Sequence, residues 1–198
     1  MKIIGITGGI GSGKSKVLDF FHNKGIPCYD SDKRAKLLIN TNPKLKRKIQ
    51  TYFGDEIYCL DKLDAKALSN IVFNNPKNLQ ILNSIVHPVV ADDFLKFTRD
   101  NRSSIIFKES AILFESGSYS LCDFTVLITA PVNTRIERVV KRELIDRDHV
   151  KSRISNQWTD EKKSLLANKI ILNIKWNETV ILLEKLLIEI KNKFNIPD

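Results

Sequence analysis

The chain has 198 residues, 42% of them hydrophobic, and its 32 Lys and Arg residues outnumber 23 Asp and Glu residues to give a net charge of +9. This length fits one α/β domain with a small insertion. No apolar run is long enough to span a membrane, glycines follow Ile6 where a signal peptide would stay apolar, and the three cysteines form no metal-ligand pattern. We therefore expect a cytoplasmic protein without a membrane partner.

The positive charge has two interpretations. A basic protein favours polyanionic partners such as nucleic acid or phosphorylated small molecules. The lysines, however, are scattered among Asn and Ile, and their densest cluster, Lys44 to Lys48, falls on one predicted helix. No aromatic platform alternates with basic residues as nucleic-acid binding would require. We expect a solvated basic surface, no nucleic-acid partner and a monomer.

The first elements of the chain predict a phosphate-binding loop. An apolar strand, Lys2 to Thr7, precedes Gly-Gly-Ile-Gly-Ser-Gly-Lys-Ser at positions 8–15, which matches G-x-x-x-x-G-K-[ST]. The glycines let backbone N–H groups turn inward around a polyphosphate, and the following helix adds positive partial charge. The expected phosphate-binding residues are Gly8, Gly9, Gly11, Ser12, Gly13, Lys14, Ser15 and Lys16.

Within this loop, two residues have defined chemistry. We expect Lys14 to reach the β- and γ-phosphate oxygens, and the hydroxyl of Ser15 to contact a magnesium ion. The alternative, a tight turn that merely caps a helix, does not explain four glycines followed by Lys and Ser. The pattern therefore predicts that the chain binds a nucleoside triphosphate.

Strands and helices alternate along the rest of the chain. The later predicted strands are Ile26 to Tyr29, Ser104 to Phe107, Phe124 to Thr129 and Lys169 to Leu172. The predicted helices begin at Lys14, at Asn133 and at Trp176. This alternation predicts an α/β fold with a doubly wound parallel sheet.

A long block between the second and third strands, Lys33 to about Arg102, is predicted to be almost wholly helical. Pro43, Pro76 and Pro88 each fit the first position of a helix. Such a block between two strands is typical of an insertion that carries a substrate.

Polar residues follow several of the predicted strands. Because the carboxyl ends of parallel strands share one edge of the sheet, Asp30-Ser31-Asp32 and Lys108-Glu109 are expected near the phosphate loop. Asp32 could orient or deprotonate a phosphoryl acceptor, or cap a helix that begins at Lys33. Glu109 could hold magnesium through water, or could simply be solvated.

A basic helix and a charged segment follow the fourth strand. Arg138 and Arg142 lie four residues apart and so share a helix face, where they could stack on adenine and clamp phosphates. A solvated helix face is the alternative. The segment from Arg147 to Lys163 is highly charged and lacks strong apolar periodicity, as expected of a mobile lid that excludes water from the reaction.

Taken together, these residues resemble the dephospho-coenzyme A kinase family from Lys2 to about Asn173. The segments that carry the resemblance are the phosphate loop, Asp30-Ser31-Asp32, the His-Pro junction in Leu82 to Pro88, and Ala111 to Gly117, followed by Arg138, Arg142 and Gln157. The last three match the family's nucleotide-side arginine, lid arginine and lid glutamine. The phosphate loop alone is shared by many families, whereas the ordered set is specific.

The resemblance implies a P-loop kinase fold of three parts. These are a nucleotide-binding core (1–32, 103–142 and 167–198), a helical acceptor-binding domain (33–102) and a lid (143–166). It also implies transfer of the γ-phosphoryl group of ATP, with Mg²⁺, to the ribose 3′-hydroxyl of dephospho-coenzyme A. Asp32 would be the base, and Lys14 and Arg142 would assist catalysis.

Other functions share parts of this pattern. Another small-molecule or nucleotide kinase would differ mainly in the acceptor-binding insertion. A nucleotide-dependent switch is a third alternative, although the Asn-Lys-x-Asp segment of a GTPase does not occur in the chain. The sequence also departs from the family's usual residues at several positions: Lys16 for Thr, Ala65 for Arg, Glu109 for Asp, Ala111 for Pro and Asn168 for Asp.

Overall fold

The computed structural model of the protein describes residues 1–73 and 75–197. The strands, in chain order, are β1 (Lys2–Thr7), β2 (Cys28–Asp30), β3 (Tyr58–Cys59), β4 (Lys62–Leu63), β5 (Ile105–Glu109), β6 (Phe124–Thr129) and β7 (Lys169–Leu172). The helices are α1 (Lys14–Asn23), α2 (Ser31–Thr41), α3 (Pro43–Phe53), α4 (Ala65–Phe73), α5 (Pro76–Asp100), α6 (Val132–Glu143), α7 (Arg147–Ser155), α8 (Asp160–Ser164) and α9 (Trp176–Lys193).

Five of the strands form one parallel sheet. Their order is β2-β5-β1-β6-β7, and each neighbouring pair is parallel. All five residues of β5 are buried, which suits a strand covered on both faces. The parallel α/β sheet predicted from the alternation of elements is therefore confirmed, although β5 extends two residues further than expected and includes Lys108 and Glu109.

Contacts divide the chain into two compact units, Met1–Asp30 with Arg102–Asp198, and Ser31–Asn101. In the first unit, α1 and α9 pack apolar side chains on the sheet. The ring of Phe21 on α1 stacks on that of Phe107 on β5, with 3.8 Å between centroids. Leu183, Leu186 and Ile190 of α9 belong to the same buried cluster.

The second unit consists of α2 to α5 and a short hairpin. Its buried cluster includes Leu45 and Ile49 of α3 and Ile85 of α5. The hairpin β3–β4 interrupts a segment that the sequence predicted to be almost wholly helical. Its turn residues Leu60 and Asp61 have φ angles of 47° and 65°, which is the backbone that a two-residue hairpin turn requires.

The three prolines expected at helix starts do not behave alike. Pro43 begins α3, and the side chain of Asn42 caps that helix by accepting from the N–H groups of Lys44 and Leu45. The predicted start at Pro76 is also the first residue of α5. The prediction for Pro88 was wrong, because Pro88 lies inside α5.

Within the described residues 1–73 and 75–197, no helix is both long enough and apolar enough to cross a membrane.

Candidate functional site

The phosphate loop connects the buried strand β1 to α1. Gly11 and Gly13 have φ angles of 79° and 95°, a region of backbone conformation that residues with a Cβ rarely adopt. Gly13 is the N-cap of α1 and provides no side-chain cap. No side chain of the N-cap residue therefore occupies the first N–H groups of α1, and an anion in the loop can accept hydrogen bonds from them.

Lys14, the first residue of α1, lies beside a buried carboxylate. Its Nζ is 3.7 Å from Oε1 of Glu109, and the two side chains are 9% and 3% exposed. Glu109 ends β5, next to β1 in the sheet, and pairs in register with Asp30 at the end of β2. The expectation that Glu109 could simply be solvated was wrong, since only 2% of the residue is exposed.

The two serines of the loop have different environments. Ser15 is exposed in the first turn of α1, so its hydroxyl is open to an incoming ligand. Ser12 is fully buried, and its carbonyl oxygen accepts from Nδ2 of Asn173 at 2.8 Å. Among the described residues, the Ser12 hydroxyl has no hydrogen-bond partner.

Lys16 follows the loop on an exposed turn of α1. Its Nζ lies 4.1 Å from the centroid of the Trp176 ring, at the start of α9. This cation–π contact holds the side chain at α9.

Arg138 and Arg142 share a face of α6 but have different contacts. Nη2 of Arg138 donates to the carbonyl of Ile174 at 2.9 Å, while its buried Nη1 has no hydrogen-bond partner among the described residues. Arg142 is 61% exposed and forms an ion pair with Glu143. In the part of the chain that the structure describes, Arg142 makes no hydrogen bond or ion pair with the phosphate loop.

Glu143 instead joins α6 to α7. Its carboxylate also accepts from Nη1 of Arg153, at 2.5 Å. Burial raises the pKa of Glu143, but the hydrogen bonds from Arg142 and Arg153 outweigh this effect, and the net pKa is lowered. The arginine expected near the phosphates is therefore part of a charged cluster with the predicted lid.

Asp32 lies in the second unit, as the second residue of α2. The helix begins at Ser31, one residue after β2 ends, so the alternative that Asp32 caps a helix starting at Lys33 was wrong. Two residues further on, Arg34 makes a two-pronged ion pair with Asp93 of α5, with distances of 2.7 Å from Nε to Oδ2 and 2.5 Å from Nη2 to Oδ1. This pair fixes the first turns of α2, which carry Asp32, on α5.

Sequence reasoning missed a buried lysine in the segment predicted to be a lid. The side chain of Lys163 on α8 is 0% exposed, with its Nζ 3.0 Å from Oε1 of Glu115. The same Nζ donates to the carbonyl of Ala111 at 2.8 Å. Burial lowers the pKa of Lys163, and the nearby charge of Lys14 lowers it further, while Glu115 raises it.

Two residues just before α8 are also bonded to other parts of the first unit. The Trp158 N–H donates to Oε1 of Glu115 at 3.0 Å, and Oε1 of Gln157 accepts from the N–H of Ile10 in the phosphate loop at 2.9 Å. The sequence did not predict these contacts, because this charged segment has no apolar periodicity that would indicate a packed face. Gln157 was singled out only by its place in the family pattern.

These features suit a nucleoside triphosphate with magnesium. Gly11 and Gly13 of the loop have the positive φ angles that glycine adopts readily. Lys14 begins a ten-residue helix, and the exposed hydroxyl of Ser15 lies next to it in the chain. Magnesium is commonly bound through one or two protein oxygens together with substrate phosphates. The Ser15 hydroxyl is such an oxygen.

Comparisons with known proteins agree with this architecture. A crystal structure from Thermus thermophilus superposes with a TM-score of 0.83, at 32% identity over 97% of both chains. The dephospho-CoA kinase from Campylobacter jejuni superposes with a TM-score of 0.71, at 27% identity over 98% of this chain and 99% of that one.

Sequence relationships define the family. A protein named dephospho-CoA kinase from Bacteroides fragilis is 36% identical over 171 residues, which cover 86% of this chain and 83% of that relative. The family model described as dephospho-CoA kinase matches residues 2–178. The phosphate loop follows β1, which is the central strand of the parallel sheet. Because the family model also matches most of its length, the chain belongs to the dephospho-CoA kinase family.

Proposed function

We propose that this protein transfers the γ-phosphoryl group of ATP to the ribose 3′-hydroxyl of dephospho-coenzyme A, which yields coenzyme A and ADP in the last step of coenzyme A biosynthesis. The observation that carries the proposal is a complete phosphate loop in a chain whose residues 2–178 match the family model. A kinase acting on another small molecule or nucleotide is the alternative, because the loop does not select the acceptor.

The phosphate loop is assigned to the triphosphate. The N–H groups of Ile10 and Ser12 donate to Gln157 and to the carbonyl of Gly9, and the other backbone N–H groups between Gly8 and Ser15 are assigned to the phosphate oxygens. The Lys14 ammonium balances charge on the β- and γ-phosphates. The Ser15 hydroxyl would hold magnesium, which would supply positive charge to neutralise the phosphates. Glu109, 3.7 Å from Lys14, keeps that ammonium at the edge of the sheet.

Asp32 is assigned to the acceptor. It follows β2 by two residues, and β2 ends at the same edge of the sheet as β1. In the reaction, the 3′-oxygen forms a bond to the γ-phosphorus as the bond to the β–γ bridging oxygen breaks. The proton of the hydroxyl passes to the Asp32 carboxylate, and ADP leaves.

The remaining roles concern the nucleotide and the segments around it. Arg138 has a buried Nη1 that finds no hydrogen-bond partner among residues 1–73 and 75–197, and we assign it to the nucleotide. Arg142 is assigned to the transferring phosphoryl group. This role requires its exposed guanidinium to leave Glu143 when residues 143–166 act as a lid. Residues 33–102 are assigned to acceptor binding.

A panel of acceptors tests the reaction. The protein is incubated with MgATP and, separately, dephospho-coenzyme A, nucleosides, nucleoside monophosphates and small alcohols, and ADP is measured together with the phosphorylated product. We expect turnover with dephospho-coenzyme A and formation of coenzyme A. Faster turnover of another acceptor, or ATP hydrolysis that no acceptor stimulates, would overturn the proposal.

Two matched substitutions test the role of Asp32. Asp32→Asn should lower kcat by roughly 100-fold or more, as expected for loss of a general base, and leave the affinity for MgATP nearly intact. Asp30→Asn, two residues earlier, should have the smaller effect on kcat. If Asp32→Asn retains turnover, or if Asp30→Asn is the variant that loses it, the assignment of the base is wrong.

A further inference from the structure

Arg135 is a buried arginine on α6, whose other basic residues, Arg138, Lys141 and Arg142, are partly or fully exposed. Only 4% of the residue is exposed, and it precedes the buried residue Ile136. Val139, one helical turn further on, is also buried. The side chain of Arg135 therefore points from α6 toward the interior of the first unit, whereas that of Arg142, on the same helix, is exposed.

The guanidinium of Arg135 is fixed by two partners. Its Nε donates to the carbonyl oxygen of Ile10, in the middle of the phosphate loop, at 3.0 Å, and its Nη1 donates to Oδ2 of Asp160 at 3.1 Å. The same Asp160 oxygen accepts a hydrogen bond from the hydroxyl of Thr129, at the end of β6. A forked cation held at both ends in this way has little freedom to move.

This guanidinium packs directly against Gly9. A Cβ built on Gly9 would lie 2.1 Å from Nη2 of Arg135, and its three nearest atoms all belong to the guanidinium. Gly9 does not have a positive φ, in contrast to Gly11. The need for glycine at position 9 therefore comes from Arg135 and not from the backbone conformation.

Gly11 offers a contrast within the same loop. A Cβ on Gly11 would lie 2.4 Å from the backbone oxygen of Arg135, and its φ is 79°. Shortening the Arg135 side chain would change neither the clash with its backbone oxygen nor the positive φ angle of Gly11. Gly9 and Gly11 thus form a matched pair, of which only Gly9 depends on the guanidinium.

Resting on the proposed function, we infer that Arg135, held by Asp160, is a positioning residue for the phosphate loop. With the Ile10 carbonyl bound to Arg135 and the Ile10 N–H bound to Gln157 at 2.9 Å, both backbone groups of Ile10 are occupied by side chains. The loop is held in one conformation before the triphosphate arrives. Such preorganisation reduces the ordering cost of binding.

Substitutions of the pair test this role in the whole protein. Arg135→Gln and Asp160→Asn should each weaken MgATP binding about tenfold or more, the size expected for losing a charged hydrogen bond. Arg135→Lys, which keeps the charge but not the fork, should restore part of the affinity. The KM for MgATP should rise while that for dephospho-coenzyme A stays unchanged, a split that a general loss of stability would not produce.

A double-mutant cycle supplies the decisive measurement. Gly9→Ala should weaken MgATP binding strongly in the wild-type background and much less in the Arg135→Ala background. Gly11→Ala should weaken it equally in both. Equal effects of Gly9→Ala in the two backgrounds, or Arg135→Gln binding MgATP like the wild type, would overturn the inference.

Calorimetry with MgATP and no acceptor separates this inference from the proposed reaction. A wild-type protein that binds MgATP but does not phosphorylate dephospho-coenzyme A contradicts the proposed function, while the cycle on binding still decides the role of Arg135. If Arg135→Gln fails to fold, Arg135→Lys and Asp160→Asn provide the same comparison. Both variants binding MgATP as tightly as the wild type would equally overturn the inference.

Discussion

Lys162 and Lys163 are adjacent on α8 and have opposite environments. Lys162 is exposed and its Nζ lies 3.5 Å from the centroid of the Trp158 ring. Lys163 is fully buried and bonded to Glu115 and the carbonyl of Ala111. A buried cation is tolerated only when it is paired and hydrogen-bonded, so these two partners account for its presence in the interior.

Replacing each lysine by methionine should therefore have different consequences for stability. Lys163→Met leaves the Glu115 carboxylate without its cation in a mostly buried position and should lower the free energy of unfolding by about 3 kcal/mol. Lys162→Met loses only a surface cation–π contact and should cost no more than about 1 kcal/mol. Urea denaturation of both variants measures the difference. Equal costs would show that the Lys163–Glu115 pair does not stabilise α8.

At the scale of elements, α5 shows how packing overrides local signals. Pro88 cannot donate a backbone hydrogen bond and normally ends or begins a helix. In α5 it lies in the interior of a 25-residue helix. Ile85 and Val86, just before it, are buried in the apolar cluster of the second unit. The free energy gained by burying this face of α5 offsets the cost of the backbone hydrogen bond that Pro88 cannot make.

His87, next to Pro88, makes the stability of this unit sensitive to pH. Burial lowers the pKa of His87 below 6.5 in the folded protein. Well above pH 6.5 the side chain is neutral in both states, so stability is full there. As the pH falls below 6.5, the unfolded chain binds the proton first, and the free energy of unfolding decreases until the lower folded pKa is reached.

Removing this histidine should reduce the effect of acid. Between about pH 7 and about pH 5, where histidine ordinarily titrates, His87→Gln should lose less free energy of unfolding than the wild type. His22→Gln, at an exposed position of α1, is the matched control and should lose as much as the wild type. Identical pH profiles for His87→Gln and the wild type would contradict the burial effect.

At the scale of the whole molecule, the two units each have an apolar cluster of their own. The proposed ligand sites also divide along the chain, with the phosphate loop in the first unit and Asp32 in the second. The net charge of +9 favours polyphosphate ligands in general. A monomeric, cytoplasmic protein without a nucleic-acid partner remains a prediction from the sequence.

Binding of MgATP should stabilise the folded protein through linkage. At a concentration 100 times its Kd, the ligand adds about 2.7 kcal/mol, which for a chain of this size raises Tm by about 5–10 °C. Lys14→Ala should show a much smaller rise, because it lacks the ammonium that meets the phosphates. Thermal scans with and without MgATP measure both. If MgATP raised the Tm of the Lys14→Ala protein as much as that of the wild type, Lys14 would not be part of the binding site.

Much of the fold was predictable because its signals are local. Strand-length apolar runs alternating with helical patterns indicate a parallel sheet, and the run of glycines with Lys14 and Ser15 identifies the loop wherever it occurs. The hairpin at Leu60 and Asp61 was missed, since its strands are only two residues long and its turn has Leu, which is not a typical turn former, before Asp.

The sequence by itself determined the α/β architecture and the phosphate-loop pattern, and its resemblance to the family predicted the acceptor. Only the tertiary structure decided which charged residues are buried. Arg135, Glu109 and Lys163 resemble their solvated neighbours in sequence, and their burial depends on partners up to 125 residues away, as for Arg135 and Ile10. Local patterns record secondary structure, whereas the pairing of buried charges is settled only when distant elements pack together.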